Sequence, residues 1–164
     1  YSCFGCRCYS CSLLHILLKM YSISFSKDLV KKIDLTDVNS IYPHEKVIKR
    51  KVELLISYLE SFNNSIIIST ILCCSKSKVI IDGHHRFFAL KAMGFEKVPV
   101  TMLDYFSDEI KTDKDNSISK NKVIESGLEK KFLEPKSTNH LVFCTKTKIW
   151  QPVILLSSLF KLEK

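Results

Sequence analysis

Lys78-Val79-Ile80-Ile81-Asp82-Gly83-His84-His85-Arg86-Phe87-Phe88-Ala89-Leu90-Lys91-Ala92-Met93-Gly94 is the stretch on which the reading of the fold turns. A β-branched apolar run ends at Asp82-Gly83, and apolar residues then recur at helical spacing, at Phe88, Ala89, Ala92 and Met93, until Gly94. The pattern predicts a strand, a tight glycine turn and a helix. Such a turn aims backbone N–H groups and the positive end of a helix dipole at one point, which makes an anion site. The first helical turn nevertheless carries His84, His85 and Arg86, cations or potential cations that the dipole disfavours by about 0.3–1 kcal/mol each. A phosphate would relieve that conflict: the N–H groups, the Arg86 fork and the imidazoles would meet it, and Gly83 would let the backbone approach closely. The competing reading is that Asp82 alone caps and neutralises the turn, with the histidines in solvent. A metal shared by His84 and His85 is disfavoured, because neighbouring helical side chains point about 100° apart.

Outward from this stretch, Ser75-Lys76-Ser77-Lys78 reads as a turn, and Ser65 to Cys74 as one dense, buried strand. Asn63-Asn64 closes a helix whose apolar face is Val47, Ile48, Val52, Leu55, Ile56 and Leu59. Tyr42-Pro43-His44-Glu45 precedes it, and Glu45 then reads as a first-turn acid at the opening of that helix. Ile33, Leu35 and Val38 suggest a first strand and turn. Downstream, Lys97 to Tyr105 reads as a strand that Pro99 places at an edge or starts late, and Ser107 to Asn121 as an exposed loop. Val123, Ile124, Leu128 and Phe132 give a short helical face weakened by Gly127. Leu133 to His140 is a polar connection into a strand at Leu141–Cys144, and the run from Trp150 to Phe160 reads as a closing strand. The alternation predicts a mixed α/β or α+β layer fold.

The 164 residues suit one domain, and an apolar content of 46% suffices for a real core. The net charge of +8 favours a polyanionic ligand without separating nucleotide from nucleic acid. No apolar run reaches about 18 residues, so no membrane span is expected. Residues 1–27 read as a leader before a domain at 28–164, with Met20 an alternative start. Cys3, Cys6, Cys8 and Cys11 could hold a soft metal or form disulfides, or lie in an unstructured, amphipathic or palmitoylated leader. Cys73, Cys74 and Cys144 are expected to be reduced core residues.

Asp82-Gly83-His84-His85-Arg86, with Ala89-Leu90, Gly94-Phe95 and Val98-Pro99-Val100, resembles the nucleotide-binding signature of the ParB/sulfiredoxin superfamily, closest to its free L-serine kinase branch. His84 stands where sulfiredoxins carry their catalytic cysteine, so sulfinic acid reduction is not implied. The acidic, arginine-rich loop of partition ParB proteins is absent too. The resemblance implies a single α+β domain with a mixed sheet flanked by helices. It also implies phosphoryl transfer from ATP or ADP, with Mg²⁺, to the hydroxyl of free L-serine, in the cytoplasm. Asp82, Gly83, His84, His85 and Arg86 would then bind the phosphates, and Glu45 would be the general base. Lys136-Ser137-Thr138 and His140 would hold the amino acid, with Asn139 in place of the usual arginine. No side chain is assigned to a metal. The alternative is a non-catalytic, ParB-like nucleotide-binding regulator with a role on DNA, although no helix-turn-helix pattern follows residue 105.

Overall fold

The structure, a computed structural model, describes residues 23–115 and 117–163, so the Cys3–Cys11 cluster and Met20 lie outside it. Its elements are β1 (Val30–Asp37), α1 (Lys49–Glu60), β2 (Ser65–Ser69), β3 (Ile71–Cys74), β4 (Ile80–Asp82), α2 (His84–Ala92) and β5 (Lys97–Leu103). They continue with β6 (Ile110–Lys111), α3 (Lys120–Leu128), β7 (Leu141–Cys144), β8 (Ile149–Pro152) and β9 (Leu159–Glu163). A four-stranded sheet of order β1-β5-β3-β4 forms the middle. In it β5 and β3 run parallel and both outer pairs antiparallel, so the sheet is mixed as expected. A β2-β9 pair and a three-stranded β6-β7-β8 sheet complete the fold.

The centre of the middle sheet, β3 and β5, is buried on both faces. Along β3 the side chains alternate between two cores. Ile71 and Cys73 join Phe87 and Leu90 of α2, Ile66 and Ile68 of β2, and Phe160 and Leu162 of β9. Leu72 and Cys74 join Tyr105, Ile110, Val123 of α3 and Val142 of β7. Covering on both sides explains why this strand reads as a continuous apolar run. Cys73, Cys74 and Cys144 are free and buried, as expected of core thiols. No helix among the described residues is long and apolar enough to cross a membrane.

Several sequence expectations are corrected. Ser65–Cys74 is two strands in different sheets, broken at Thr70. There Thr70 N–H donates to Ser158 O at 2.8 Å, and its hydroxyl accepts from Ser158 N–H and meets Thr101 Oγ1 at 2.7 Å. The run 150–160 likewise divides, into β8, a 3-10 turn at Val153–Leu156, and β9. Pro99 lies in an interior strand. It is tolerated because β3 pairs with β5 only from Val100 onward, leaving the β3 side of Pro99 without a strand partner. The loop 107–121 contains β6, whose Ile110 is buried. Residues 23–27, read as leader, pack on the fold: Ile23 and Phe25 lie against the second core, and Ser24 O accepts from Thr145 N–H.

The strand–turn–helix at 80–92 is as predicted, but β4 is an edge strand. An extended segment covers that edge: Tyr42 N–H donates to Lys78 O, and Ile80 N–H to Tyr42 O. The other side of the segment pairs with residue 133, through Leu133 N–H to His44 O and Lys46 N–H to Leu133 O, both 2.9 Å. Glu45 is therefore not in a helix. It lies in extended chain ahead of α1, which begins at Lys49 with no acidic residue in its first turn.

The guanidinium of Arg86, in the first turn of α2, binds the break between β2 and β3. Its Nη1 donates to Ser69 O (2.9 Å), Ser69 Oγ (2.5 Å) and Thr70 O (2.7 Å), while Nη2 donates to Asp82 Oδ2 (2.7 Å). The side chain is only 14% exposed. Arg86→Ala removes the donor for two carbonyls and a carboxylate, so it should lower stability by about 3 kcal/mol in urea titration. Arg86→Lys, which keeps the charge without the fork, should recover only part of that loss. An unchanged midpoint in Arg86→Ala would show that the guanidinium carries no structural weight.

Candidate functional site

Three segments far apart in sequence border one cleft of about 460 Å³: Glu45, the turn Asp82–Arg86, and the loop from Lys136 to Leu141. Ile81, Lys51 of α1 and Pro152–Ile154 complete its lining. Every nominated residue except Ser137 lines the cleft, and the Ser137 hydroxyl is buried with no hydrogen-bond partner among the described residues.

The floor is the N-terminus of α2. Gly83 precedes the helix with φ +99°, a left-handed conformation that glycine adopts without strain. A Cβ there would also stand 2.9 Å from Arg86 Nη2, so the guanidinium can pack over the turn only because position 83 lacks a side chain. Arg86 is consequently not an open fork. Its Nη1 and Nη2 bind the 69–70 carbonyls and Asp82, leaving the backbone N–H groups at the head of the helix as the main anion donors.

The histidines resolve the dipole conflict in a way the sequence did not show. His84 Nε2 accepts from His44 N–H at 3.3 Å, and His85 Nε2 accepts from Ile48 N–H at 3.2 Å. Burial, with the neighbouring histidines and Arg86, holds His84 well below its usual 6.5, and partial burial with Lys51 lowers His85. Both rings are therefore neutral acceptors at neutral pH, fastening the 44–48 segment to the head of α2. No bound anion is needed to make the helix start tolerable.

His44, given no role in the sequence reading, is fully buried, with its ring 4.5 Å from that of His84 and 5.8 Å from that of His140. Its Nδ1 lies 2.5 Å from Ile80 O, and its Nε2 lies 3.2 Å from Thr138 Oγ1. Burial lowers its pKa to about 4. His140 pairs through Nε2 with Tyr105 Oη at 2.9 Å, and burial beside His44 lowers it to about 3, so it cannot meet a carboxylate as a cation.

Glu45 is mostly buried. Its Oε1 accepts from Lys136 N–H at 2.5 Å and its Oε2 from the Thr138 hydroxyl at 3.2 Å. The Thr138 backbone N–H also donates to it, but desolvation outweighs all three donors and raises its pKa, with Asp82 adding to the effect. A carboxylate raised by burial and bordering a cleft is suited to accept a proton. Lys51 and Lys136, both exposed, place positive charge at the cleft. Lys51 lies on the polar face of α1, and only the packing of α1 brings it here, so helical periodicity could not single it out.

The buried histidines make a pH prediction. Unfolded, each binds a proton near 6.5, whereas folded His44 does so only near 4 and His140 near 3. Between these limits the unfolded chain holds more protons, so their stabilisation is complete above pH 6.5 and is lost as pH falls. Glu45, with its raised pKa, opposes this only in part. His44 alone should cost about 3 kcal/mol on going from pH 7 to 4. Urea midpoints should fall steeply over that range, and a flat profile would contradict neutral, buried imidazoles.

No family model matches the chain. It is 30% identical over 98 residues to an ATP-dependent L-serine kinase of Desulfurococcus mucosus, an alignment covering 58% of this chain and 38% of that protein. It is 32% identical over 88 residues to the ADP-dependent L-serine kinase SerK of Thermococcus kodakarensis, covering 49% and 35%. A ParB-like protein of Sulfolobus acidocaldarius is 32% identical over 87 residues, covering 53% and 42%. The chain thus spans about two fifths of the length of the curated relatives it matches. Over that share the resemblance to the free L-serine kinases and their ParB-like kin, read from short motifs, holds as extended sequence similarity.

Proposed function

We propose that the protein moves the terminal phosphoryl group of ATP or ADP to the hydroxyl of free L-serine, giving O-phosphoserine. The observation that carries this reading is the convergence of Glu45, the α2 turn and the 136–140 loop on one cleft, in a chain similar to both ATP- and ADP-dependent L-serine kinases. On this reading the N–H groups of residues 84–86 hold phosphate oxygens, with Lys51 and Lys136 screening the charge. The amino acid lies against the 136–140 loop, where the Lys136 ammonium can meet its carboxylate. Glu45 takes the hydroxyl proton as the serine oxygen bonds to the terminal phosphorus. The bond from that phosphorus to the bridging oxygen breaks, and the shortened nucleotide leaves with that oxygen.

Mg²⁺, which the family implies, fits as an ion carried by the nucleotide. Among the described residues no group of three or more His, Cys, Asp or Glu could hold a metal, and Asp82, with Oδ2 on Arg86, is the cleft carboxylate that would contribute to it. When bound, the ion would neutralise charge on the phosphates. The free, buried thiols fit a reducing, cytoplasmic setting.

Glu45→Gln keeps the shape of the side chain but cannot accept the proton. Turnover to phosphoserine should fall by about 10²–10⁴-fold, with nucleotide affinity nearly unchanged, because the phosphates are held at 83–86. Equal turnover in both proteins would remove Glu45 from the chemistry. Nucleotide binding without product in either would favour the non-catalytic regulator, the reading that similarity to a ParB-like protein supports.

A further inference from the structure

The hydroxyl of Thr138 stands 3.2 Å from Glu45 Oε2 and 3.2 Å from His44 Nε2. It has one proton to give. His44 Nδ1 faces the carbonyl of Ile80, which can only accept, so Nδ1 carries the ring hydrogen and Nε2 is a bare acceptor. Ionised Glu45 is also only an acceptor; the backbone N–H groups of Lys136, at Oε1, and of Thr138 already donate to it, and the Thr138 hydroxyl at Oε2 is its one side-chain donor. Two acceptors therefore compete for one hydroxyl proton, and while Glu45 is ionised one of them is left without it. The carboxylate takes it, since a bond to an ionised group is about twice as strong as a neutral one, and the buried His44 nitrogen goes unsatisfied.

Protonating Glu45 removes the deficit. The carboxyl Oε2–H can donate to Thr138 Oγ1, and the Thr138 O–H can turn to His44 Nε2. The chain of bonds from Glu45 through Thr138 and His44 to Ile80 O is then complete, with every member in a role it can fill. We propose that Thr138 and His44 form a hydroxyl switch behind Glu45, which stabilises the protonated carboxyl and so strengthens it as a base. Neither residue touches the reacting atoms; both are positioning residues. No net proton passes to His44. The hydroxyl only rotates, and the proton on Glu45 comes from the substrate hydroxyl and leaves to solvent after product release. The consequence for turnover rests on the kinase reading, but the effect on the carboxyl does not.

Other groups also act on this carboxyl: the backbone N–H groups of Lys136 and Thr138, Asp82, His84, His85 and Arg86 at the head of α2, Lys51 on α1, and the side chains of Lys136 and His140 on the loop. They are unaltered in the variants that test the switch, so differences among those variants isolate it. His44→Asn keeps an N–H near the position of Nδ1 and removes the Nε2 acceptor. Thr138 must then donate to Glu45 at all times, which favours the ionised form. The titration of a ¹³C-labelled Glu45 carboxyl should move down by about 0.5–1 on the pH scale, the equivalent of one net hydrogen bond. The acid limb of the turnover profile should move with it. Thr138→Ser should restore the wild-type titration where Thr138→Val does not, and ¹⁵N spectra of wild type should show His44 as the neutral Nδ1–H tautomer.

An unmoved Glu45 titration in folded His44→Asn, or an Nε2–H tautomer in wild type, would overturn the switch even if phosphoserine forms. A shifted titration in a protein that makes no phosphoserine would sustain the switch and sink the kinase reading instead. Should His44→Asn not fold, the Thr138→Ser and Thr138→Val comparison decides alone: indistinguishable Glu45 titrations in the two would also overturn it.

Discussion

The arginine at the start of α2 fixes the geometry on which the rest of the fold relies. By binding the Ser69 and Thr70 carbonyls and Asp82 together, Arg86 locks the place where one strand run leaves the β2-β9 pair and enters the middle sheet. It also locks the turn from β4 into α2. Gly83 makes this possible twice over, through its positive φ and through the space it leaves under the guanidinium. A charge so nearly buried is tolerated because its donors meet two carbonyls and a carboxylate. The turn at the head of α2 is thus fixed by the protein's own contacts, and on the proposed kinase reading that would serve phosphoryl transfer, in which positioning supplies most of the catalysis.

A second constraint is the dryness of the region behind the cleft. His44, His84 and His140 are buried with their rings packed edge to face. They stay neutral because charge could not be solvated there. Neutrality gives each ring a fixed donor and a fixed acceptor, and those roles tie together the edge of β4, the segment 42–48 and the loop 136–140. The same dryness raises Glu45. A single physical cause, loss of water, therefore makes the histidines structural acceptors and the carboxylate a better base.

Much of this was legible in the sequence where local chemistry decides the outcome. The strand, the glycine turn and the helix at 80–92 follow from an apolar run, Asp82-Gly83 and helical spacing, and the layered α+β fold follows from the alternation of elements, whereas the mixed sheet was implied only by the resemblance. Two adjacent strands in different sheets look like one apolar run, because the break at Thr70 is enforced by Ser158, distant in sequence. Pro99 was read as an edge signal, since the register that leaves it unpaired on one side is a property of the sheet and not of the strand. Glu45, His85 and Arg86 were singled out as site residues, yet the roles that local reasoning gave them differ from the geometry found. Glu45 is no helix-start acid, His85 is no cation, and the Arg86 fork is engaged by the protein itself. His44 and Lys51 carried no local signal, because each gains its place only through packing.

The central claim is that Glu45, the α2 turn and the 136–140 loop act as one site for a nucleotide and an amino acid. Chemical-shift mapping on ¹⁵N-labelled protein tests it most directly, with ADP and Mg²⁺ added first and O-phosphoserine second. The account predicts that ADP shifts the backbone amides of residues 83–87 and that O-phosphoserine shifts those of 136–140, with Glu45 responding to both. Shifts confined to the second cleft at Lys111, Lys148 and Trp150, or none at residues 83–87 with saturating ADP, would contradict it.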